Sequence, residues 1–237
     1  MANIHADQPP AYSPGAALMD LSIFLSVMVL IRLVHVPGLD YMGNVLVNSG
    51  TTLVVATLLM YRRGETWASL GLCRPESFKK LAVITLVALG LAIAFVMAYK
   101  IFLSEYIVTA AGEEAGVKDT RFSDMAGNLT VFLSIVSLVW IESAFEELLD
   151  RGYLLTRLER IFSKIPLSLV IAVVGQAAIF GFRHMPSHGV DGAITTGLIG
   201  LGFGIVYVAS GRNLWALIIA HCYLNSMSMV ERFIDSY

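Results

Sequence analysis

A run of acidic residues with one arginine ends an apolar segment, in the sequence ESAFEELLDR at residues 142–151. Glu147 and Arg151 are four residues apart with the acid first, the favourable order for an ion pair on a helix. That pairing leaves Glu146 free to face a cavity, where a desolvated carboxylate can act as a general base. The same residues also fit a structural group of charges at a membrane interface.

Two further segments place histidines within apolar sequence. Phe180 and His184 are one helical turn apart in FGFRH, although a single histidine at a helix end also fits simple packing. His221 and Asn225 are one turn apart in HCYLN and therefore share a helix face. Unpaired polar groups are costly in an apolar medium, so this pair predicts either hydrogen bonds to neighbouring helices or a wet pocket.

Glu146, His184, His221 and Asn225 together offer the groups needed to activate a water molecule and to stabilise an oxyanion. The two histidines and Glu146 could equally hold Zn²⁺, and spacing alone does not separate these options. The chain contains no HExxH motif, no GxSxG motif and no paired aspartates in its apolar segments. Their absence argues against three other membrane-protease chemistries.

The elements that carry these residues are predicted to be membrane helices. The chain is 57% hydrophobic and only 14% charged, with a mean hydropathy of +0.73, which is too apolar for an ordinary soluble domain. Apolar runs bounded by charge or by Gly and Pro predict an all-α, polytopic membrane helical bundle of about seven transmembrane helices. The predicted spans are 17–36, 43–61, 80–103, 128–149, 166–184, 190–209 and 213–231.

The sequence predicts a polar N-terminal tail at residues 1–16 and a single membrane-embedded domain at 17–237. The tail has no basic residue before the first apolar run, so that run is expected to be a retained helix. Cys73 and Cys222 are not expected to form a disulfide. The net charge of −2 gives no footprint of a nucleic-acid binder.

Loop charges predict the orientation of the bundle. The loop after the second span carries Arg62, Arg63, Arg74, Lys79 and Lys80, and Arg151, Arg157, Arg160 and Lys164 follow the fourth span. Both are expected to be cytoplasmic, since Lys and Arg concentrate there. The loop after the third span is richer in acids (Glu105, Glu113, Glu114, Asp119, Asp124), which predicts the outer side. These loops place the N-terminus inside the cell.

Two segments indicate how helices pack. Gly197, Gly200, Gly202 and Gly204 predict a tightly packed helix face. Residues 151–164 carry an apolar and a basic face. That pattern fits either an amphipathic helix at the interface or a continuation of the fourth span packed against protein.

At these residues the sequence resembles the CPBP family, the CAAX proteases and bacteriocin-processing enzymes that are also called the Abi family. The family's pattern EExxxR matches residues 146–151, FxxxH matches Phe180 to His184, and HxxxN/D matches His221 to Asn225. The three motifs occur in the family's order, and the resemblance covers about residues 128–226. Outside it, only the short ASLGL segment is similar.

The resemblance implies an intramembrane endopeptidase that cleaves a membrane-associated protein or peptide near its C-terminus or its membrane-proximal part. It implies that Glu146 and His184 activate water, that His221 and Asn225 stabilise the oxyanion, and that Glu147, Arg151 and Phe180 shape the site. It also implies catalysis without a cofactor or metal, although zinc at His184, His221 and Glu146 stays open as the alternative.

Two other functions compete with this interpretation. One is a catalytically inactive immunity or scaffold protein, and the other is a proton-coupled transporter that uses the acids and histidines as a relay. The expected location is a prokaryotic inner membrane, with the lipid bilayer and a peptide substrate as partners. Prenylated CAAX proteins, peptide precursors and the sorting tails of surface proteins are all candidate substrates.

Overall fold

The computed structural model describes residues 12–112 and 122–234 of the chain. It contains α1 (Pro14–Leu30), α2 (Tyr41–Arg62), α3 (Phe78–Phe102), α4 (Ser104–Ala110), α5 (Leu129–Glu147), α6 (Leu155–Ile161), α7 (Ser168–Ala209) and α8 (Leu214–Ile234). A π-helical segment, Leu148–Leu154, joins α5 to α6. The described residues contain no strand, so the predicted all-α class is confirmed. The predicted tail at residues 1–16 lies largely outside the described residues, so its limit stays a prediction. Helix α1 begins at Pro14.

Polar residues start the long helices. The side chains of Ser13, Asp40, Ser77 and Asn128 each accept a hydrogen bond from a backbone N–H in the first turn that follows. These bonds satisfy donors that have no partner within the helix. The starts of α1, α2, α3 and α5 are therefore each encoded by one residue just before the helix, whereas α7 begins after Leu167 without a side-chain cap.

The bundle has charged groups inside and apolar groups outside. Glu147, Asp150, Arg151 and Arg157 are fully buried. Many large apolar side chains are exposed, among them Phe78, Leu86, Phe102 and Phe182. Within the described residues, five helices are long and apolar enough to cross a membrane, namely α1, α2, α3, the continuous α5–α6 helix and α7. An apolar surface over a polar interior suits a lipid environment, and the chain is an integral membrane protein.

Helix α7 is a hairpin of two membrane-length legs. Gly189 interrupts it with a φ of 66° and a ψ of −172°, a conformation that glycine tolerates without steric cost. The legs pack side by side, because a Cβ on Gly181 would lie 2.5 Å from the carbonyl oxygen of Ala193. Counting both legs and α8, the bundle agrees with about seven transmembrane helices. His188 follows Pro186 and lies in the last turn of the first leg.

The two interpretations of residues 151–164 are resolved by burial. Residues 151–158 are buried and continue the fourth span, whereas an interfacial helix would expose one face. The chain then turns at residues 162–167 into α7. Glu146 and His184 are nearly the same number of residues from this turn, so the two helices bring them to the same height.

The two ends of the bundle are each held together by their own set of contacts. At the end that we call the basic end, Leu214 N donates to the Gly71 carbonyl at 3.2 Å and Arg212 pairs with Glu159 at 2.5 Å. At the opposite end, called the acidic end, the rings of Tyr41 and Phe122 lie 5.9 Å apart. Helix α7 turns at the acidic end, and α8 finishes there.

Candidate active site

The Glu146 carboxylate lies between two histidine rings from different helices. Its Oε1 is 3.4 Å from Nε2 of His184, and its Oε2 is 3.6 Å from Nε2 of His221. Helix α5, the first leg of α7 and α8 thus each contribute one side chain. The sequence predicted these three residues as a set, and the structure brings them together.

Arg183 binds the same carboxylate from the side. Its Nη2 is 2.7 Å from Oε1 of Glu146 and 2.9 Å from Oδ2 of Asp150. Arg32 donates to the Arg183 carbonyl at 2.8 Å, which ties the end of α1 to this helix. One guanidinium therefore offsets two carboxylates in an interior where an unpaired charge is costly.

The second glutamate holds the second histidine. Oε1 of Glu147 lies 2.7 Å from Nδ1 of His221 and 3.0 Å from Nη1 of Arg151. The predicted ion pair between Glu147 and Arg151 is present, and both side chains are fully buried. The Arg151 guanidinium also lies over the Phe180 ring, with 4.4 Å between its carbon and the ring centre. Phe180 thus packs against the group that positions Glu147.

The hydrogen bonds of the two rings fix their tautomers. Nδ1 of His184 lies 2.7 Å from the Phe180 carbonyl oxygen. A carbonyl oxygen and a carboxylate only accept, so each Nδ1 carries a proton, and each neutral ring presents a lone pair at Nε2. The difference is in the partner, because His221 is backed by an anion and His184 by a neutral carbonyl.

Asn225 sits on the face of α8 that His221 shares. Its Nδ2 donates to Oγ of Ser143 at 2.9 Å, and Ser143 donates to the Val139 carbonyl at 2.7 Å. The amide is therefore attached to α5 one turn before Glu147. Its second N–H is free for another acceptor.

A cavity of about 620 Å³ reaches these groups. Glu146, His184, His221 and Asn225 all line it, as do Arg183 and Glu142. Glu142 accepts a hydrogen bond from Ser49 of α2 at 2.5 Å. Polar chemistry and a space for a substrate thus coincide inside the apolar bundle.

Glu146, His184 and His221 place hydrogen-bond acceptors around one point. Two Nε2 lone pairs and a carboxylate face each other at 3.4–3.6 Å, which is longer than a direct hydrogen bond. A water molecule suits such a set because it has two protons to donate. A cation would meet the same atoms, but Arg183 already binds Oε1 of Glu146 and its charge opposes a metal ion. Among the residues described, no group of three or more His, Cys, Asp and Glu side chains is arranged to hold a metal.

Sequence reasoning missed Arg183, Asp150 and Ser143 as parts of this site. A signal existed for Arg183, since it is the only Lys or Arg between Lys164 and Arg212. A charge within a membrane helix is by itself a pointer to a functional site. Cys73 is exposed and Cys222 is half-buried, and both are free thiols in the structure.

The comparisons with known proteins identify the region that holds the site. Residues 128–227 match the model of the family described as type II CAAX prenyl endopeptidase Rce1-like. This segment spans α5 to most of α8 and contains all four predicted catalytic residues. Neither the curated proteins nor the solved structures contain a match to the chain. Residues 128–227, less than half of the chain, are therefore similar to the CAAX protease family, in agreement with the resemblance noted from the motifs.

Proposed function

We propose that this protein is an intramembrane endopeptidase that hydrolyses a peptide bond of a membrane-associated protein or peptide. One observation carries the proposal: the Glu146 carboxylate and the Nε2 atoms of His184 and His221 converge within 3.6 Å at the wall of a 620 Å³ cavity. The family match supports a CAAX-type protease in general. The roles below are proposed from contacts.

Water is activated by Glu146 together with His184. A water molecule between them donates one proton to the carboxylate and the other to Nε2 of His184, whose own proton is held at Nδ1 by the Phe180 carbonyl. As its oxygen attacks the scissile carbonyl carbon, the water loses one proton to this pair. Arg183 keeps Glu146 ionised before the attack by offsetting its charge.

His221 stabilises the negative oxygen that results. Donation from Nε2 requires that the neutral ring first take up a second proton from solvent in the cavity, and the Glu147 carboxylate at Nδ1 balances that charge. His184 has only a carbonyl behind it, so of the two rings His221 is the better holder of a positive charge. The free N–H of Asn225, on the same face of α8, is the second donor to the oxyanion.

Collapse of the tetrahedral intermediate completes the reaction. The C–N bond breaks, and the proton taken from water passes to the leaving nitrogen. The new carboxyl group then gives the second proton of the water to the released amine, so the products are a carboxylate and an ammonium group. Glu146 returns to its ionised form, and no redox partner is required.

Cleavage by the purified protein in nanodiscs, against a panel of membrane-anchored peptides, tests the proposal. Glu146→Gln and His184→Ala are expected to lower kcat by about 10²–10⁴-fold, the range of general acid–base catalysis. Two exposed residues outside the cavity supply matched controls, Glu76→Gln and His35→Ala, which should cleave like the wild type.

Folded wild-type protein that cleaves no member of the panel would contradict the proposal and favour a scaffold or immunity protein. Proton-coupled flux in liposomes that depends on Glu146 would favour a transporter instead. Equal loss in the control variants would mean that the effect of Glu146→Gln is not specific to the site.

A further inference from the structure

We infer that the cavity opens to the outer side of the membrane and takes an extended segment of an exported, membrane-anchored polypeptide. The substrate class rests on the proposed function. The direction of opening does not, because it follows from the position of the cavity and the distribution of charge.

The rim of the cavity lies at the acidic end of the bundle. Leu33 after α1, Tyr41 at the start of α2, Phe122, Ser187 near the α7 turn and Arg232 in the last turn of α8 all line it. These positions are on one side because α1 and the first leg of α7 end where α2 begins and α8 finishes. Arg232 lies 5.8 Å from the Phe122 ring, which joins two of them directly.

The basic end is closed over the site. None of the described residues that line the cavity lies at 53–121 or 150–179. The Tyr207 hydroxyl donates to the Leu70 carbonyl at 2.6 Å. Gly71 packs so tightly that a Cβ there would lie 1.8 Å from the Arg212 carbonyl oxygen. On the side of His221 that faces the basic end, the Arg151 guanidinium is stacked on the rings of Phe180 and Phe203. A substrate therefore has no route to Glu146 from this end.

Charge assigns the two ends to the two sides of the membrane. Nine of the sixteen Lys and Arg residues are at the basic end, namely 62, 63, 74, 79, 80, 157, 160, 164 and 212. Among the described residues, the acidic end holds three Lys and Arg (Arg32, Lys100 and Arg232) together with five Asp and Glu (Asp40, Glu105, Asp124, Asp191 and Glu231). Arg151 and Arg183 belong to the site between the ends. Lys and Arg are retained on the cytoplasmic side, so the closed end faces the cytoplasm and the rim faces outward.

The geometry limits what can reach the site. His221 is eleven residues before Arg232 on α8, a rise of about 16 Å. An extended chain covers that distance with about five residues. The substrate must therefore offer an unfolded segment of at least about five residues on the outer side, close to its own membrane anchor. A tail that stays in the cytoplasm does not meet this opening.

The two native cysteines give a direct test of orientation. Cys73 is exposed in the basic loop, so a Cys222→Ser variant reports the basic end alone. A Ser187→Cys variant that also carries Cys73→Ser and Cys222→Ser reports the rim. In intact cells, a membrane-impermeant maleimide is expected to label Ser187→Cys and to spare Cys73 until the cells are permeabilised. Labelling of Cys73 in intact cells, or protection of Ser187→Cys, overturns the inference.

The substrate side is tested with single-span reporters that carry one and the same cleavable segment on either side of the membrane. We expect Glu146-dependent cleavage only of the outer segment. Cleavage of the inner segment alone overturns the substrate class. If neither is cleaved although the labelling places the rim outside, the proposed protease function fails while the outward opening stands.

Discussion

His221 Nδ1 lies 2.7 Å from Glu147 Oε1, and the adjacent Glu146 approaches Nε2 of the same ring at 3.6 Å. Two consecutive glutamates from one helix thus hold a histidine of another helix at both ring nitrogens. Consecutive residues diverge by about 100° around a helix, so the ring fits into the angle between the two carboxylates. On the proposed function, this relationship gives the two glutamates of the motif separate roles, with Glu146 at the attacking water and Glu147 at Nδ1 of His221.

Replacing Glu147 by Gln should separate the two roles. The amide oxygen can still accept the Nδ1 proton, but the charge that balances a protonated His221 is lost. We expect kcat to fall on the order of 10²-fold, the usual effect of losing one oxyanion donor, with little change in KM. Full pH–rate profiles should also change shape, which a merely structural role would not cause. Unchanged kcat and pH dependence would contradict the role given to Glu147.

Arg183 is expected to be important for stability as well as for activity. Arg183→Gln leaves Glu146 and Asp150 without their shared counter-charge in a buried site. Breaking a buried ion pair costs about 3–5 kcal/mol of unfolding free energy. Thermal unfolding in detergent measures this loss.

A second variant isolates the charge. Asp150→Asn in the Arg183→Gln background removes one of the two uncompensated carboxylates, so part of the lost stability should return. A double variant less stable than Arg183→Gln alone would show that Arg183 does not act through Asp150.

The predictable part of this site is what lies within one helix. The pairs Glu147–Arg151 and His221–Asn225 follow from helical spacing, and so does the exclusion of Glu146 from the ion pair. The contact between Glu147 and His221 joins residues 74 positions apart. It depends on how α5 and α8 are rotated against each other, which side-chain packing decides and spacing does not reveal.

In the fold, too, features set by local sequence differ from features set by packing between helices. Four helix starts are encoded locally, because Ser13, Asp40, Ser77 and Asn128 cap α1, α2, α3 and α5. The π-helical segment Leu148–Leu154 was not predicted, and the continuation into α6 was one of two open interpretations, because both depend on burial against other helices. The orientation of the bundle stays a prediction from charge, and the acids at 113, 114 and 119 lie outside the described residues.

Metal removal should leave the activity intact. Arg183 binds one oxygen of Glu146, and its positive charge opposes a metal ion at the same carboxylate. We therefore expect equal cleavage with and without a strong chelator, and metal analysis of active protein should find less than one zinc per chain. Loss of activity with the chelator and its return with added zinc would move Glu146, His184 and His221 to ligand roles.

The α7 hairpin offers a test of how packing positions His184. A Cβ on Gly181 would lie 2.5 Å from the Ala193 carbonyl oxygen and 3.0 Å from the Gly197 Cα, and both are backbone atoms that cannot turn aside. Gly181→Ala must push the two legs apart and shift Phe180 and His184, which flank it. We expect unfolding free energy to fall by about 1–3 kcal/mol, the usual cost of overpacking, and kcat to fall with it.

Gly90→Ala in α3 is the matched control, since nothing lies within 4 Å of its added Cβ. It should be neutral or slightly stabilising, because alanine is the better helix former. Similar melting temperatures and similar kcat values for the two variants would mean that the close packing of the hairpin does not position His184.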